Sequence, residues 1–385
     1  MRIYIFLGIA AIPFIYYVIV LYSGWRFFRR EPQPASSADF TPPVSNLRAV
    51  RGLDPEAYEN FASFCRQDYP EYEIIFCLSD RDDPAYPVVQ KIIQDFPERP
   101  IRVVFNTGSR ASNDKVSKLV RLTSEARYEH LVITDSDVRV RPDYFRTVMA
   151  PMANPKAGAV TCFSAPVDEK TFAGRLQTIG MISDFYAGIV VAWKLDGVKF
   201  AFGPTIATTR ARLAEFGGYQ ILQNKPADDL LVGRLIADLG YEVELLPYTV
   251  QTIPDYQSTR GLIEQRLRWM VVMRHMRPWG HVGLVFTQGL PWCLAAAALH
   301  PTAAVVGAYV GGYLGFRLLI TWMIGVHGLK QSSLWGKIAL IPAWDIMALA
   351  IWLGSFFRNS IRWRDREYYI REGMLVPVSS TSAEN

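Results

Sequence analysis

The feature that most constrains this chain is a long apolar segment at its start, with others of the same kind near its end. Ile3–Tyr22 holds about 20 residues without a charge, the length that a helix needs to cross the hydrocarbon core of a bilayer. Only Arg2 precedes the segment, and three arginines follow it, at Arg26, Arg29 and Arg30. A cleaved signal peptide has a shorter apolar run. We therefore expect a retained transmembrane helix, with the following residues in the cytoplasm.

Three further apolar segments lie in the C-terminal third: Val282–Leu299, Ala303–Val326 and Leu334–Phe357. The first is interrupted by Gln288 and Pro291, which favours a position in the membrane interface. Arginines flank the three segments, at Arg266, Arg268, Arg274 and Arg277 before them and at Arg358, Arg362, Arg364 and Arg366 after them. Because both clusters favour the cytoplasm, an even number of crossings is expected. Two full spans and one shallow segment fit best, and three spans are the alternative.

Charge and cysteine content limit the partners of the chain. The formal net charge of +5 is small, and many of the arginines flank the apolar segments. This distribution is typical of anchoring to anionic lipid headgroups, so we expect no nucleic-acid partner. The four cysteines are far apart, at Cys65, Cys77, Cys162 and Cys293. Their spacing indicates neither a zinc site nor a disulfide framework, and we expect reduced cysteines in the core.

Between the apolar ends, strand-like runs alternate with amphipathic, helix-like runs. The strand-like runs are Tyr72–Leu78, Ile101–Phe105, His130–Thr134 and Gly158–Phe163, and the helix-like runs include Pro55–Cys65, Tyr86–Phe96 and Lys115–Ala126. This alternation predicts βαβ units in an α/β fold with a mostly parallel sheet. We expect a transmembrane helix over residues 1–25, a linker over 26–43, a compact cytosolic domain over 44–280, membrane or interfacial helices over 281–360, and a cytosolic tail over 361–385.

Aspartates follow two of these strands at their carboxyl ends, where parallel sheets bind ligands. Asp135 and Asp137 come one residue apart after His130–Thr134, so their side chains can converge on one point. Two carboxylates on a short turn suit a divalent cation that also binds phosphate oxygens, although a plain capped turn has the same pattern. Asp80 follows Tyr72–Leu78 and can accept a hydrogen bond from a base or a ribose, or belong to a solvated turn.

A third acidic site is Asp228-Asp229, at the start of a predicted helix. Leucines recur at helical spacing after the pair, and Gly240 ends the pattern. A carboxylate is electrostatically stabilised at a helix N-terminus. One aspartate suffices as the cap, which leaves the other as a candidate base.

The fourth motif is Gln265-Arg266-Leu267-Arg268-Trp269, on a predicted helix of about 18 residues ahead of the apolar segments. Gln265, Arg268 and Trp269 share one helical face. An arginine there offers a donor fork to a pyrophosphate, and a tryptophan offers a flat platform. The alternative is an interfacial amphipathic helix with Arg and Trp anchors.

The chain contains neither a G-x-G-x-x-G nor a G-x-x-x-x-G-K-[ST] phosphate loop. This absence argues against a dinucleotide-dependent dehydrogenase and against a P-loop enzyme. A nucleotide bound here would need its charge neutralised by a metal and by basic side chains.

Together the four motifs resemble the ceramide glucosyltransferase family, a membrane-bound branch of the inverting family-two glycosyltransferases. The matching segments are SDRDDPA with Asp80, DSDVRV with Asp135 and Asp137, PADDLLVGRLIADLGYE with Asp229, and QRLRW with Gln265, Arg268 and Trp269. The segments Tyr58–Ile74 and Glu215–Tyr219 and the layout of apolar helices also resemble that family. Hopanoid-biosynthesis glycosyltransferases share these motifs, so the resemblance leaves both families of acceptor open.

The resemblance implies a GT-A type, Rossmann-like nucleotide-sugar domain, held by membrane helices at both ends on the cytoplasmic face of a bacterial inner membrane. It implies inverting transfer of a hexose from UDP-glucose or UDP-N-acetylglucosamine to a lipid hydroxyl, with Mg²⁺ or Mn²⁺. The implied roles are the uridine contact for Asp80, the metal and ribose for Asp135 and Asp137, the catalytic base for Asp229, the cap for Asp228, and closure over the pyrophosphate for Gln265, Arg268 and Trp269.

Two departures from the family pattern affect these expectations. The family has Lys-Pro near the start of the catalytic domain, where this chain has Arg48-Ala49. We expect Arg48 to keep the charge for nucleotide binding without the rigid proline turn. Animal members also have a histidine in the segment matching Thr171–Phe200, and this chain has none there. The acceptor therefore stays open between ceramide, a hopanoid and another lipid.

Thr171–Phe200 is rich in apolar and aromatic residues, namely Phe172, Met181, Phe185, Tyr186, Trp193 and Phe200. We expect them to be exposed as a lipid-facing surface, the alternative being core packing against the sheet. Two other classes of protein are less consistent with the chain. A processive polysaccharide synthase needs more transmembrane helices for an export channel, and a membrane scaffold needs none of the acidic motifs.

Overall fold

An α/β domain lies between two groups of apolar helices in this computed structural model, which describes residues 2–30, 39–107, 111–167, 169–253, 258–363 and 366–378. Residues 31–38 of the expected linker and 364–365 and 379–385 of the expected tail, with Arg364 among them, lie outside the described residues.

A mixed eight-stranded sheet forms the centre of the domain. Its strands are β1 (Val44–Ala49), β2 (Tyr72–Leu78), β3 (Ile101–Phe105), β4 (His130–Thr134), β5 (Val138–Arg139), β6 (Ala157–Pro166), β7 (Ile206–Thr209) and β8 (Glu242–Thr252). The order is β3-β2-β1-β4-β7-β6-β8-β5. The first four strands are parallel, as is the pair of β6 and β8, whereas β7 and β5 pair antiparallel to their neighbours. The predicted bounds of β2, β3 and β4 are confirmed.

The helices follow the predicted alternation. They are α1 (Arg2–Ala10), α2 (Ile12–Phe28), α3 (Ala57–Cys65), α4 (Tyr86–Asp95), α5 (Asp114–Glu125), α6 (Tyr144–Met149), α7 (Phe172–Gly180), α8 (Tyr186–Asp196), α9 (Arg210–Glu215), α10 (Asp228–Asp238), α11 (Thr259–Met276), α12 (Pro278–Gly283), α13 (Gly289–Leu299), α14 (Ala303–Val306), α15 (Gly312–Thr321) and α16 (Ile341–Phe357). Wider π-helical turns over Met181–Phe185, Gly307–Gly311 and Trp322–Gly328 interrupt the apolar helices, and 3₁₀ turns cover Ala150–Ala153, Tyr219–Leu222, Leu284–Phe286 and Ser332–Leu340.

Apolar side chains cover both faces of the sheet, as buried parallel strands require. Successive residues of β2 show this, because Phe76 packs with Phe61 of α3 on one face while Ile75 packs with Leu119 of α5 on the other. The cysteines Cys65, Cys77, Cys162 and Cys293 are free and buried, in agreement with the prediction of reduced core cysteines.

Four helices of the described chain are long and apolar enough to cross a membrane: Arg2–Phe28, Phe172–Asp196, Ala303–Gly328 and Ser332–Phe357. The first extends past the expected boundary at residue 25. The last two correspond to the two expected C-terminal spans. A pair of helices bent by 44°, Pro278–Phe286 and Gly289–Leu299, flanks Gln288 and is a fifth candidate. It corresponds to the segment that we expected to lie shallow.

Phe172–Asp196 was not predicted as a candidate span. It packs closely against its neighbours, with 61% of its most apolar window buried. A hydrogen bond joins it to the C-terminal helices, because Arg317 donates to the Ser183 hydroxyl at 3.1 Å. Arg317 also forms a buried ion pair with Asp345 at 2.5 Å. Charged groups inside apolar helix bundles are expensive unless they are paired in this way.

The expected tail forms a small antiparallel sheet in its described part. Its strands are β9 (Ser360–Trp363), β10 (Arg366–Arg371) and β11 (Met374–Pro377). Glu372 and Gly373, both at positive φ (50° and 74°), form the two-residue turn between β10 and β11, a geometry that favours tight hairpins. We call these three strands the C-terminal sheet. Its buried side chains Ile361, Tyr368, Ile370 and Leu375 pack on Val271 and Val272 of α11.

Candidate active site

A cavity of about 580 Å³ opens beside the carboxyl ends of β1, β2 and β4. Its wall includes Asp80, Asp135 and Asp137, so the structure brings these three predicted residues together. Asp80 accepts the Asp82 N–H at 2.9 Å, within its turn. Nearby Asp83 is structural, because it accepts the N–H groups of Gly52 and Ala85.

The buried side chain of Arg48 holds the turn after β4 in place. The guanidinium donates to the Thr134 hydroxyl at 3.1 Å and to the carbonyl oxygens of Asp135 and Ser136 at 3.1 and 3.2 Å. The side chain is fully buried, and burial lowers the pKa of Arg48 to about 10. This placement corrects the expectation of a direct nucleotide contact, because Arg48 lies behind the wall and binds protein atoms. It positions the two aspartates instead.

The carboxylates beside this turn fit a divalent cation. Desolvation, together with the charges of Asp135 and Asp54, raises the pKa of Asp137 to about 7. The Ser136 hydroxyl donates to Asp54 and holds it in place. Crowded carboxylates of this kind favour a bound cation, which relieves their repulsion. Within the described residues, no group of three or more His, Cys, Asp or Glu side chains is arranged to hold a metal. A cation here would therefore take further oxygens from a ligand.

Lys115, at the start of α5, connects the two acidic sites. Its ammonium group lies 2.6 Å from Asp135 Oδ1 and 3.4 Å from Asp228 Oδ2. The attraction of these carboxylates outweighs desolvation and raises the pKa of Lys115 well above its usual value. Lys115 was expected at the start of a helix, with no role in the site. Its position after a parallel strand, at the ligand-binding edge of the sheet, was the available signal.

Asp229 is held by two backbone donors. Its Oδ2 accepts the Gly203 N–H at 2.9 Å and its Oδ1 accepts the Leu230 N–H at 2.8 Å. Desolvation and the neighbouring Asp228 raise the pKa of Asp229 to about 6, against the opposing charge of Lys115. A Cβ atom at Gly203 would lie 2.6 Å from Asp135 Oδ2. The backbone at Gly203 therefore separates Asp135 from Asp229 with no room for a side chain.

The expected cap of α10 is wrong. The residue at the N-cap is Ala227, in a left-handed conformation with φ 53°, and no side chain caps the helix. Asp228 is buried and contacts Asn113 at 3.4 Å in addition to Lys115. It was misassigned because the pattern of two adjacent acids does not show which of them points into the protein.

Helix α11 lies next to the cavity and contributes no side chain to its described wall. Trp269 packs on Phe185 with ring centroids 5.9 Å apart. The Arg268 guanidinium lies 5.4 Å from the ring centroid of Trp363, which does line the cavity. Gln265 also lies outside the wall. The predicted face of α11 therefore contacts the cavity wall indirectly, because Arg268 packs on Trp363.

The segment Thr171–Phe200 is less exposed than expected. Met181 and Tyr186 are buried, although Phe172 is exposed. Phe185 nevertheless contacts both Trp269 and Phe202, with a centroid distance of 5.8 Å to Phe202. Phe202 precedes Gly203, the partner of Asp229. The three rings Phe185, Trp269 and Phe202 thus connect this segment, α11 and the loop that holds Asp229.

The C-terminal sheet completes the cavity wall with Trp363, Arg366 and Tyr368. None of the three was predicted as a site residue. The alternation of buried Tyr368 and Ile370 with exposed neighbours along β10 is the signal of a half-buried strand.

Comparisons with known proteins identify the family and the fold of the chain. The model of glycosyl transferase family 21 matches residues 5–376. Ceramide glucosyltransferase 1 of Caenorhabditis elegans is 22% identical over 391 residues, covering 97% of this chain and 80% of that protein. A ceramide glucosyltransferase of Gibberella zeae is 37% identical over 124 residues, covering 29% of this chain and 24% of that protein. The structure of a mannosyltransferase from Pyrobaculum calidifontis with GDP-Man and Mn²⁺ matches with a TM-score of 0.61 at 19% identity, covering 92% of this chain and 99% of that one. This likeness confirms the expected α/β glycosyltransferase fold.

Proposed function

The chain belongs to glycosyl transferase family 21, and from this membership we propose that it transfers a hexose from a UDP-sugar to the hydroxyl of a membrane lipid. It is a ceramide glucosyltransferase-like glycosyltransferase. The observation that carries the finer proposal is the juxtaposition of an acidic cavity at the strand ends with a second carboxylate, Asp229, across Gly203.

The cavity suits a nucleoside diphosphate sugar in size and in charge. Its volume of about 580 Å³ lies within the usual range for small-molecule sites. Seven aspartates line it, at positions 54, 80, 82, 83, 114, 135 and 137. A diphosphate would be repelled by so many carboxylates unless a cation intervened. Asp135 and Asp137 would hold Mg²⁺ or Mn²⁺, which would neutralise the charge that develops on the leaving diphosphate.

Asp229 would act as the base. Its oxygens accept one N–H each from Gly203 and Leu230, so the carboxylate is oriented while lone pairs stay available. It takes the proton of the acceptor hydroxyl as that oxygen attacks the anomeric carbon. The bond from this carbon to the diphosphate oxygen breaks on the opposite face, which inverts the configuration. Lys115 contacts Asp135 and Asp228 and keeps a positive charge between the two acidic sites.

The acceptor would approach from the apolar helices. Phe185 belongs to the segment between α7 and α8, which packs among those helices, and it contacts Trp269 of α11. The same ring contacts Phe202, beside the loop that holds Asp229. A lipid whose tail lies among apolar helices could thus present its hydroxyl near Asp229. The same arrangement of side chains around Asp229 therefore accounts for the proposed positions of both the donor and the acceptor.

Product analysis tests this proposal. Membranes containing the protein would be incubated with labelled UDP-glucose, UDP-N-acetylglucosamine or GDP-mannose, and the labelled lipids identified by mass spectrometry. We expect a hexosyl lipid from one of the UDP-sugars, with transfer dependent on Mg²⁺ or Mn²⁺. Label entering lipid solely from GDP-mannose would overturn the donor assignment, and label entering solely a water-soluble product would overturn the acceptor assignment.

A further inference from the structure

The cavity contains a basic side chain that its acidic wall does not explain. Four basic residues line it in the described part of the chain: Arg51, Lys115, Lys118 and Arg366. Three of them are ion-paired, Lys115 with Asp135 at 2.6 Å, Lys118 with Asp114 at 3.0 Å and Arg51 with Asp114 at 3.9 Å. The Arg366 side chain has no hydrogen bond or ion pair to any described residue. An unpaired guanidinium in a wall of carboxylates is suited to an anion that enters the cavity.

The strand that carries Arg366 is firmly placed. Tyr368 and Ile370 of β10 are buried against Val271 and Val272 of α11. The Leu375 N–H of β11 donates to the Asn224 carbonyl at 2.7 Å, and Ala227 packs against the same group of side chains. The C-terminal sheet is thus attached both to α11 and to the segment that leads into Asp229. Contacts on two sides pre-organise the position of the wall, which lowers the entropy cost of binding.

Trp363 has a related role in the same wall. It lines the cavity and lies under the guanidinium of Arg268, 5.4 Å away. A cation over an aromatic face holds the ring in place. Trp363 pairs with Arg366 across β9 and β10 in the strand register. The aromatic ring and the free guanidinium therefore enter the cavity from adjacent positions of one sheet.

We infer that the C-terminal sheet is part of the donor site, and that Arg366 binds the diphosphate of the nucleotide sugar. This inference rests on the proposed function, because it takes the cavity to be the donor site. Arg366 is a binding residue from the end of the chain, beyond the last apolar helix. The donor site is therefore complete only when the C-terminal sheet, which follows the apolar helices, packs against the catalytic domain.

Calorimetric titration of nucleotides into the purified full-length protein with Mn²⁺ tests the inference. We expect Arg366→Gln to weaken UDP binding by at least about tenfold, since it removes a charge-assisted contact. Uridine lacks the diphosphate, so its affinity should change by less than about twofold. Arg366→Lys keeps the charge without the fork and should fall between wild type and Arg366→Gln.

Arg362→Gln is the matched control, because Arg362 is exposed on β9 of the same sheet and lies outside the cavity wall. It should bind UDP like the wild type, and melting curves should show that all variants fold. Unchanged UDP affinity in folded Arg366→Gln, or equal weakening of UDP and uridine, would overturn the role of Arg366. A wild-type protein that binds GDP and not UDP would instead contradict the proposed donor, and Arg366 would then be tested with GDP and guanosine.

Discussion

At the residue scale, the proposed chemistry depends on how the side chains of Asp229 and Asp137 are held. Asp229 receives backbone N–H groups from Gly203 and Leu230, which orient it without neutralising it. Its raised pKa follows from desolvation and from Asp228. A carboxylate with a raised pKa is a stronger base than an exposed one and still ionises near neutral pH. The groups that surround Asp229 thus set both its orientation and its pKa.

The raised pKa of Asp229 predicts how activity depends on pH. Below about pH 6 the carboxyl group is protonated and cannot accept the proton of the acceptor. We expect kcat/KM for the acceptor to fall as the pH is lowered through about 6 and to be level above it. Rates would be measured at saturating donor and Mn²⁺. Donor affinity would be measured separately at each pH, because the raised pKa of Asp137, about 7, lies in the same pH range. Activity that stays level down to pH 5, with donor binding intact, would contradict the assignment.

Arg48 predicts a stability effect at a distance from substrate. Arg48→Met removes the donors to Thr134, Asp135 and Ser136. The Thr134 hydroxyl keeps the Asn46 amide as a donor, but the carbonyl oxygens of Asp135 and Ser136 lose the one that Arg48 provided. Each such loss costs about 1–3 kcal/mol, so the melting temperature should fall by several degrees. Arg66→Met is the control, because Arg66 forms an exposed ion pair with Glu59. Equal melting temperatures for the two variants would show that Arg48 does not support the turn.

At the element scale, the turn after β4 is the proposed metal site. Asp137→Ala removes one of the two carboxylates that would hold the cation, so Mn²⁺ should no longer strengthen UDP binding. In the wild type, EDTA should weaken UDP binding at least about tenfold, the range for losing a charge-assisted contact. Asp68→Ala, at an exposed surface ion pair with Arg146, should behave like the wild type. UDP affinity that is insensitive to both EDTA and Asp137→Ala would make the turn structural.

The apolar helices provide a second test at this scale. Helix α7 approaches α16 so closely that a Cβ atom at Gly180 would overlap the ring of Trp344. Gly180→Ala must therefore separate the two helices, and we expect a lower melting temperature in detergent. A Cβ atom at Gly315 of α15 would meet nothing within 4 Å, so Gly315→Ala should melt like the wild type. The packing of Phe172–Asp196 would be in doubt if both variants were equally stable.

Elements with strong local patterns were predicted well from the sequence. The runs Tyr72–Leu78, Ile101–Phe105 and His130–Thr134 became strands with the same bounds, because continuous apolar runs between turn residues are a local signal. Their order along the chain placed Asp80, Asp135 and Asp137 at one edge of the sheet. The antiparallel strand β7 was not predicted, because Ile206–Thr209 is too short to show a period.

Contacts between distant segments could not be read from the sequence. Arg48 was expected at the nucleotide because it stands where the resembling family has a lysine. In the structure it is buried and donates instead to three oxygens of the β4 turn. Lys115 gains its role from Asp135 and Asp228, which lie 20 and 113 positions away in sequence. Arg366 reaches the cavity because the chain returns after the apolar helices. Each of these roles depends on tertiary structure.

At the scale of the whole molecule, both flanks of the C-terminal apolar region lie together. Helix α11 precedes these segments and the C-terminal sheet follows them, and the two pack through Val271, Val272 and Tyr368. Both therefore lie on the same side of any membrane that the segments cross. This agrees with the even number of crossings expected from the arginine clusters. The proposed donor site, the proposed base Asp229 and the apolar helices are then parts of one assembly.

Transfer of labelled sugar to lipid by reconstituted protein tests the central claim most directly. Wild type and Asp229→Asn would be compared in vesicles containing the acceptor lipid, with a labelled UDP-sugar and Mn²⁺. Asp238→Asn is the matched control, because Asp238 lies exposed at the other end of α10. We predict about 10²–10⁴-fold slower formation of labelled lipid in Asp229→Asn, with UDP affinity unchanged and Asp238→Asn fully active. Near-normal transfer by Asp229→Asn would contradict the account.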